Sequence, residues 1–238
     1  MHRLFVLALV ACHASPSPSP TPTPTPTPAP VPAPAAHEHH HHDHSFQDAD
    51  RWAAQFDAPD RDAWQQPAQV IEKAGIAAGD TVVDLGTGTG YFLPHLARAV
   101  GDTGKVIGLD SEPDMIAYVE KRIARDHLAH VEARVVPPDD PKLAPGSVTK
   151  ILVVDTWHHL GQRTAYAKRL AAALACRPSG AAIVVVDFTA DSPHGPPRDM
   201  RLPPETIVSE LRAAGLTAEI ATETLPHQYI VIGKKRCP

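Results

Sequence analysis

A carboxylate set inside an apolar strand, two residues before a glycine turn, is the most chemically loaded feature of this chain. The run Val82-Val83-Asp84-Leu85-Gly86-Thr87-Gly88-Thr89-Gly90 places Asp84 there. Glycines at such a turn let the backbone bend tightly and come close to a ligand, while the following helix aims its N-terminal amides at it. Asp110 ends the next apolar run, 20 residues beyond Gly90. A carboxylate at that place accepts hydrogen bonds from both hydroxyls of a ribose. Two features argue against a dinucleotide. Asp84 would repel a pyrophosphate, and Tyr91 stands where GxGxxG needs its last glycine. The pair suits a ribose-bearing ligand that carries an ammonium or another cation.

A second constellation is Asp155-Thr156-Trp157-His158-His159, at the carboxyl end of a later apolar run. Open α/β sheets bind ligands at such ends, beside the topological switch point. Histidine titrates near neutrality, so His158 is the candidate general base and His159 its backup, with Trp157 beside them on the substrate side. The alternative is that one histidine only fills space under the next helix. Asp187 through Pro204 is a Pro- and Gly-rich stretch that reads as a lid, with His194 and Arg198 as its polar contacts. Arg61 and Trp64 are placed to close the opposite side, Trp64 alternatively packing in the core. Tyr91 either caps the pocket or packs.

Positioning these residues takes a regular alternation of strands and helices. Continuous apolar runs predict strands at Thr81–Leu85, Lys105–Asp110, Val131–Val136, Val148–Asp155, Ala181–Phe188, Thr217–Thr224 and Gln228–Gly233. Helical spacing predicts helices at Arg61–Ala74, with Pro67 marking a start or kink, and at Tyr91–Val100, Glu112–Asp126, Arg163–Ala175 and Pro204–Ala214. Strands apolar on both faces belong to a parallel sheet covered by helices, and right-handed crossovers wind it doubly. The fold class is α/β, a Rossmann-like doubly wound sheet with helices on both faces.

Taken together, these motifs resemble the class I S-adenosylmethionine-dependent methyltransferases, in particular the small-molecule branch with first motifs of the VLDLGxGTGY type. The resemblance spans about Asp60 to Arg236. It implies seven strands in the order 3-2-1-4-5-7-6, the last antiparallel, and S-adenosylmethionine as cofactor. It further implies that Asp84, Gly86, Thr87, Gly88 and Gly90 cradle the methionine portion and Asp110 takes the ribose. Ser111, Glu112 and Met115 would line the adenine, Asp139 or its neighbour Asp140 would reach the adenine edge, and Asp155 would border the cofactor. Thr149 departs from the family, where an Asp is usual. Methyl transfer is an in-line displacement from an activated sulfonium, so the enzyme chiefly aligns the nucleophile and excludes water. Nothing resembles the Asn/Asp-Pro-Pro-Tyr motif of base and glutamine methylation, and nucleic acid is not an expected partner.

The front of the chain reads as an address and a tether. Of 238 residues, 1–12 form a lipoprotein-type signal: an Arg, an apolar stretch, and Leu9-Val10-Ala11-Cys12, which resembles a bacterial lipobox with Cys12 as the lipidated residue. Residues 13–36 are a Pro/Thr/Ser-rich linker whose Ser15–Pro34 portion is an extended polyproline spacer of roughly 60 Å. The His-rich tract 37–44 (HEHHHHDH) offers weak transition-metal binding. Residues 45–238 hold 21 Lys and Arg against 25 Asp and Glu, a balance that does not suit a phosphate-backbone binder. The expected location is the cell envelope, lipid-anchored and periplasmic or on the outer membrane, or cytoplasmic if the signal is left unprocessed. Cys176 and Cys237 could pair in an oxidising compartment, but the reading favours two separate thiols, one at a helix end and one on a mobile tail. The expected function is methyl transfer to a small molecule. The rival is a non-enzymatic tethered lipoprotein with this fold and a metal-binding His tract, and a nicotinamide oxidoreductase is disfavoured by Tyr91.

Overall fold

The computed structural model describes residues 48–177, 180–222 and 225–237. The signal, the Pro-rich linker and the His-rich tract therefore lie outside the described residues. Seven apolar runs form strands β1 (Thr81–Leu85), β2 (Lys105–Asp110), β3 (Val131–Val135), β4 (Lys150–Val154), β5 (Ala182–Phe188), β6 (Thr217–Ile220) and β7 (Gln228–Lys234). They make one sheet in the order β3-β2-β1-β4-β5-β7-β6, as the resemblance implied. The first five are parallel, and β7 runs antiparallel to both β5 and β6.

Alternation along each central strand feeds two apolar layers. Val82, Val106, Leu152 and Val184 face a layer closed by α3 (Pro67–Ala74), α4 (Leu93–Val100) and α5 (Pro113–Arg125) through Val70, Leu96 and Val119. Val83, Ile107, Ile151 and Val185 face the other, closed by α6 (Arg163–Ala173) and α7 (Pro204–Ala213) through Leu170, Ile207 and Leu211. Burying each such side chain stabilises the fold by about 1.5–3 kcal/mol. Among the described residues, no helix is long and apolar enough to cross a membrane.

Several boundaries differ from the sequence reading. The helix expected over Arg61–Ala74 is two, α2 (Arg61–Gln65) and α3, because Gln66 is left-handed (φ 46°) and Pro67 opens the second. Proline has no amide to give the preceding turn, and its ring clashes with the carbonyl four residues back. Tyr91 and Phe92 precede α4 rather than opening it. A further helix, α1 (Ala49–Phe56), was not foreseen; the Asp48 carboxylate accepts from Arg51 N at 3.3 Å to cap it. Thr149, where the family has Asp, is buried at the far edge of the sheet. Its hydroxyl donates to Asp80 at 2.9 Å and accepts from Thr81 N at 3.0 Å, so it secures the entry to β1 rather than the ligand edge.

Cys176 and Cys237 form a disulfide, correcting the expectation of separate thiols; their Cα atoms are 5.6 Å apart. The pairing follows from topology. Because β7 returns antiparallel to β5, it delivers the tail beside the α6–β5 connection, where Lys235 N donates to Ala181 O at 2.8 Å. The Lys235 ammonium then caps α6 by donating to the Leu174 and Ala171 carbonyls at 2.6 and 3.2 Å.

One side chain ties α2 to the sheet. Arg61 donates to Phe56 O at 2.6 Å and to Gln65 Oε1 at 3.0 Å, and lies 3.7 Å from the Asp155 carboxylate. Arg61→Met should cost about 2–4 kcal/mol at pH 8, where the carboxylate loses its ionic partner in a mostly buried place. Burial pushes Asp155 up to about 7, so it is protonated at about pH 5 and the loss should shrink there. Urea denaturation at the two pH values checks both. Reducing the disulfide, which closes a separation of 61 residues, should lower stability by about 2–4 kcal/mol, read as a lower urea midpoint with dithiothreitol.

Candidate functional site

The carboxyl edge of the sheet opens into a cavity of about 710 Å³, within the range of small-molecule sites. Its floor is the turn after β1. Gly86 and Thr87 both donate to Leu109 O, at 2.7 and 3.0 Å, which folds the turn over the end of β2. Gly86 sits at φ 72°, and a Cβ there would lie 2.3 Å from the Thr156 side chain, so only glycine fits. Gly108, opposite Asp84 in the register, leaves the space that Thr87 occupies: a Cβ would lie 3.2 Å from that threonine. Thr87 in turn donates to Asp84 Oδ2 at 2.7 Å.

Asp84 is 3% exposed, and burial pushes it up to about 6 despite the Thr87 hydroxyl and the field of Arg61. Asp110 is raised by burial too, against the pull of the Glu112, Gly88 and Ser111 amides. Glu112 N donates to one Asp110 oxygen at 3.0 Å and Gly88 N to the other at 2.8 Å. Ser111 and Met115 line the same cavity, as do Gly86, Thr87, Gly88 and Thr89. Gly90 is not in the lining; it shapes the turn, at φ 80°. The Thr89 hydroxyl is buried in the lining with no hydrogen-bond partner among the described residues.

Asp139 is a correction. It is exposed and outside the cavity lining; Arg169 holds its carbonyl at 2.7 Å, while Asp140 pairs with Lys142. Val136, Pro137 and Pro138 line the cavity instead. The short segment between β3 and β4 has no helix to turn the acid inward.

At the end of β4 the chain turns sharply, with Asp155 at φ 54°. Its carboxylate lines the cavity and accepts from Gln228 Nε2; Gln228 in turn accepts from Gln65 Nε2, and Gln65 from Arg61. Burial raises Asp155 most, Arg61 opposes, and the neighbouring Asp187 adds to the rise. His158 lines the cavity, and its Nδ1 lies 2.9 and 3.0 Å from the two Asp187 oxygens. Both side chains are almost fully buried. His159 also lines the cavity, exposed, its ring 4.2 Å from that of His158. Trp157 is a second correction: it is fully buried outside the lining, and its indole donates to Glu210 on α7 at 2.8 Å. A short turn of helix over Trp157–His159 points the indole into the core and the two imidazoles toward the cavity.

The rim comes from α1, α2 and the segment after β5. His194 stacks on Trp64 with ring centres 4.4 Å apart, and both line the cavity. Tyr91 lines it too, beneath the Arg61 guanidinium at 4.0 Å, with its hydroxyl donating to Asp62. Trp52 and Phe56 of α1 stack over the glycine turn, Phe56 lying 3.5 Å from where a Gly88 Cβ would be. Arg198 is exposed and outside the lining. Arg201 instead organises the segment, donating to Thr189 O, Ser192 O, His194 O and Pro196 O at 2.8–3.0 Å.

Sequence reasoning missed Asp187 as a partner of His158, although a signal was present. The adjacent parallel runs ILVVD and IVVVD, paired Val154 with Val186, bring the two acids side by side. Gln65 and Gln228 carried no such signal, being brought together from 163 residues apart.

The family described as "Methyltransferase domain" matches residues 82–180, less than half of the chain. Among solved structures the chain is similar to a SAM dependent methyltransferase from Aquifex aeolicus, with a TM-score of 0.71 and 24% identity over 79% of this chain and 98% of that one. A tRNA (adenine(57)-N(1)/adenine(58)-N(1))-methyltransferase of Methanocaldococcus jannaschii is 45% identical over 56 residues, 24% of this chain and 20% of that protein. An arsenite methyltransferase of Halobacterium salinarum is 40% identical over 62 residues, 26% of this chain and 16% of that protein. The chain thus matches about a fifth or less of the length of these two curated relatives. Residues 82–180 match the methyltransferase-domain family, and the body from β1 to β7 has the class I methyltransferase fold.

Proposed function

We propose that this protein transfers a methyl group from S-adenosylmethionine to a small-molecule acceptor. The observation that carries the reading is the pair of carboxylates, buried Asp84 and half-buried Asp110, flanking the glycine turn in one cavity. Their chemistry fits the cofactor. Asp110 faces the cavity with acceptor capacity beyond its backbone amides, as a ribose hydroxyl requires. Asp84 is held partly protonated by burial, a cost that a nearby ammonium or sulfonium relieves. When bound, the cofactor supplies a methyl group already activated on sulfur. The chain's own part is to orient and to dry the site. Trp52 and Phe56 cover the glycine turn, Trp64 and His194 close the acceptor side, and Met115 with Pro137 and Pro138 forms an apolar slot beyond Asp110.

The protein works at the cell envelope, anchored through a lipidated Cys12 and held off the membrane by the 13–36 linker. A disulfide between Cys176 and Cys237 supports an oxidising compartment. Cys12→Ser should move the protein from the membrane fraction to the soluble fraction and abolish incorporation of labelled palmitate. Retention in the membrane without Cys12 would contradict the anchor.

Calorimetry on the full chain with S-adenosylmethionine should show binding, weakened at least tenfold by Asp84→Ala; no heat at millimolar cofactor would sink the reading. Below its raised value of about 6, Asp84 is mostly protonated, and a cationic ligand favours its ionised form. Binding at about pH 5.5 should therefore release protons, seen as an enthalpy that depends on the buffer, and release should fade by about pH 8. Asp84→Asn should reduce that release.

A further inference from the structure

We propose that the acceptor is an uncharged phenolic molecule whose hydroxyl proton is taken by Nε2 of His158, with Asp187 holding the imidazole. This inference rests on the methyl-transfer reading above and names its substrate class. The dyad has a definite geometry. Nδ1 is engaged by both Asp187 oxygens, at 2.9 and 3.0 Å, and Asp187 is itself fixed by Phe188 N at 2.9 Å. Nε2 has no hydrogen-bond partner among the described residues, although the side chain is 2% exposed and belongs to the cavity lining. A buried imidazole bound at one nitrogen and unpartnered at the other is a proton acceptor awaiting a donor.

Methylation of a thiolate, or of any atom with a ready lone pair, needs no such base. An acceptor that arrives with its proton on does. Phenolic hydroxyls, which ionise at about 10, are within reach of an imidazole, whereas alkanols are far weaker acids. Charge disfavours an acceptor that is itself a carboxylate or phosphate. Asp60, Asp84, Asp110 and Asp155 line the cavity, and Arg61 is the one Arg or Lys among the described lining residues. Its guanidinium is already spent on Phe56 O, Gln65 and Asp155. The walls around the dyad suit an aromatic body: Leu160, Phe188, Pro193, Pro196, Pro197 and Met200. Among the described residues, Asp187 on β5, Asp155 at the end of β4, Arg61 on α2, the adjacent His159 and Tyr229, opposite Asp187 on β7, are the titratable and charged groups near the imidazole.

The hydroxyl proton passes to Nε2, and an oxygen lone pair forms the O–CH3 bond. The C–S bond breaks with its electron pair remaining on sulfur, which becomes a neutral thioether. The imidazolium, stabilised by Asp187, returns its proton to water.

A spectral test uses the full chain without cofactor. Mixed with 4-nitrophenol at a pH just below that phenol's own ionisation, the protein should increase the phenolate band. His158→Gln should abolish that increase and Asp187→Asn should reduce it. In parallel, the full chain with methyl-labelled cofactor is offered catechol, dithiothreitol, benzylamine and benzoate; catechol should be the acceptor. His158→Gln should lower transfer to catechol by about 10²–10⁴-fold, and should lower transfer to the more acidic 4-nitrophenol much less. Asp187→Asn should show the same split, which a merely structural loss would not produce. Absence of the phenolate band in the wild type, or transfer to the thiol, amine or carboxylate in preference to the phenols, overturns the proposal. Absence of cofactor binding overturns the methyl-transfer reading instead, and the spectral test still decides whether the dyad accepts a phenolic proton.

Discussion

Four neighbouring strands of this sheet, β2, β1, β4 and β5, bring an aspartate to the same edge, and the site is the outcome of keeping four carboxylates together, two of them buried and two half-buried. Like charges at low dielectric repel strongly, and each acid meets that constraint differently. Asp110 spends lone pairs on backbone amides. Asp84 takes one hydroxyl and otherwise keeps its proton to about 6. Asp155 leans on Arg61 and Gln228 and keeps its proton to about 7. Asp187 engages an imidazole. The five parallel strands make this arrangement possible, since they all end on one side.

The constraint also divides labour along the edge. The two acids nearest the glycine turn retain unmet demand for positive charge or for hydroxyl donors, and so define where a ligand binds. The two farther along are tied to protein groups, Asp155 to α2 and β7 and Asp187 to His158, and so define structure and proton handling. Arg61 is the hinge between these halves. Its guanidinium lies 4.0 Å over the Tyr91 ring, close to the glycine turn, while the same group reaches Asp155.

Much of the architecture was legible because hydrophobic period and strand-end chemistry are local. Val82-Val83-Asp84-Leu85 and Lys105–Asp110 are strands at the places their apolar runs indicate, and the turn between Gly86 and Gly90 is where the glycines stand. Local rules failed where a neighbour in space decides. Trp157 and His158 are adjacent in sequence with like claims on the cavity, yet Glu210 on α7 draws one indole into the core. Asp139 stays outside because Arg169 fixes its backbone. The break at Gln66 was half legible, since Pro67 announces an interruption without saying that two helices result.

The chain by itself determined which acids and glycines sit at strand ends, and hence the fold class and the chemical character of the main cleft. That information lies in spacings of two to 20 residues, and the backbone transmits it through hydrogen bonds whose geometry is the same in any protein. Only the tertiary structure decided the long-range pairs: Gln65 with Gln228, His158 with Asp187, Cys176 with Cys237. Those contacts depend on strand order and on the antiparallel return of β7, which many sequences share without sharing any residue. A side chain's partner across the sheet is therefore set by strand order and packing, and a motif such as a shared strand-end aspartate points to it only once that order is known.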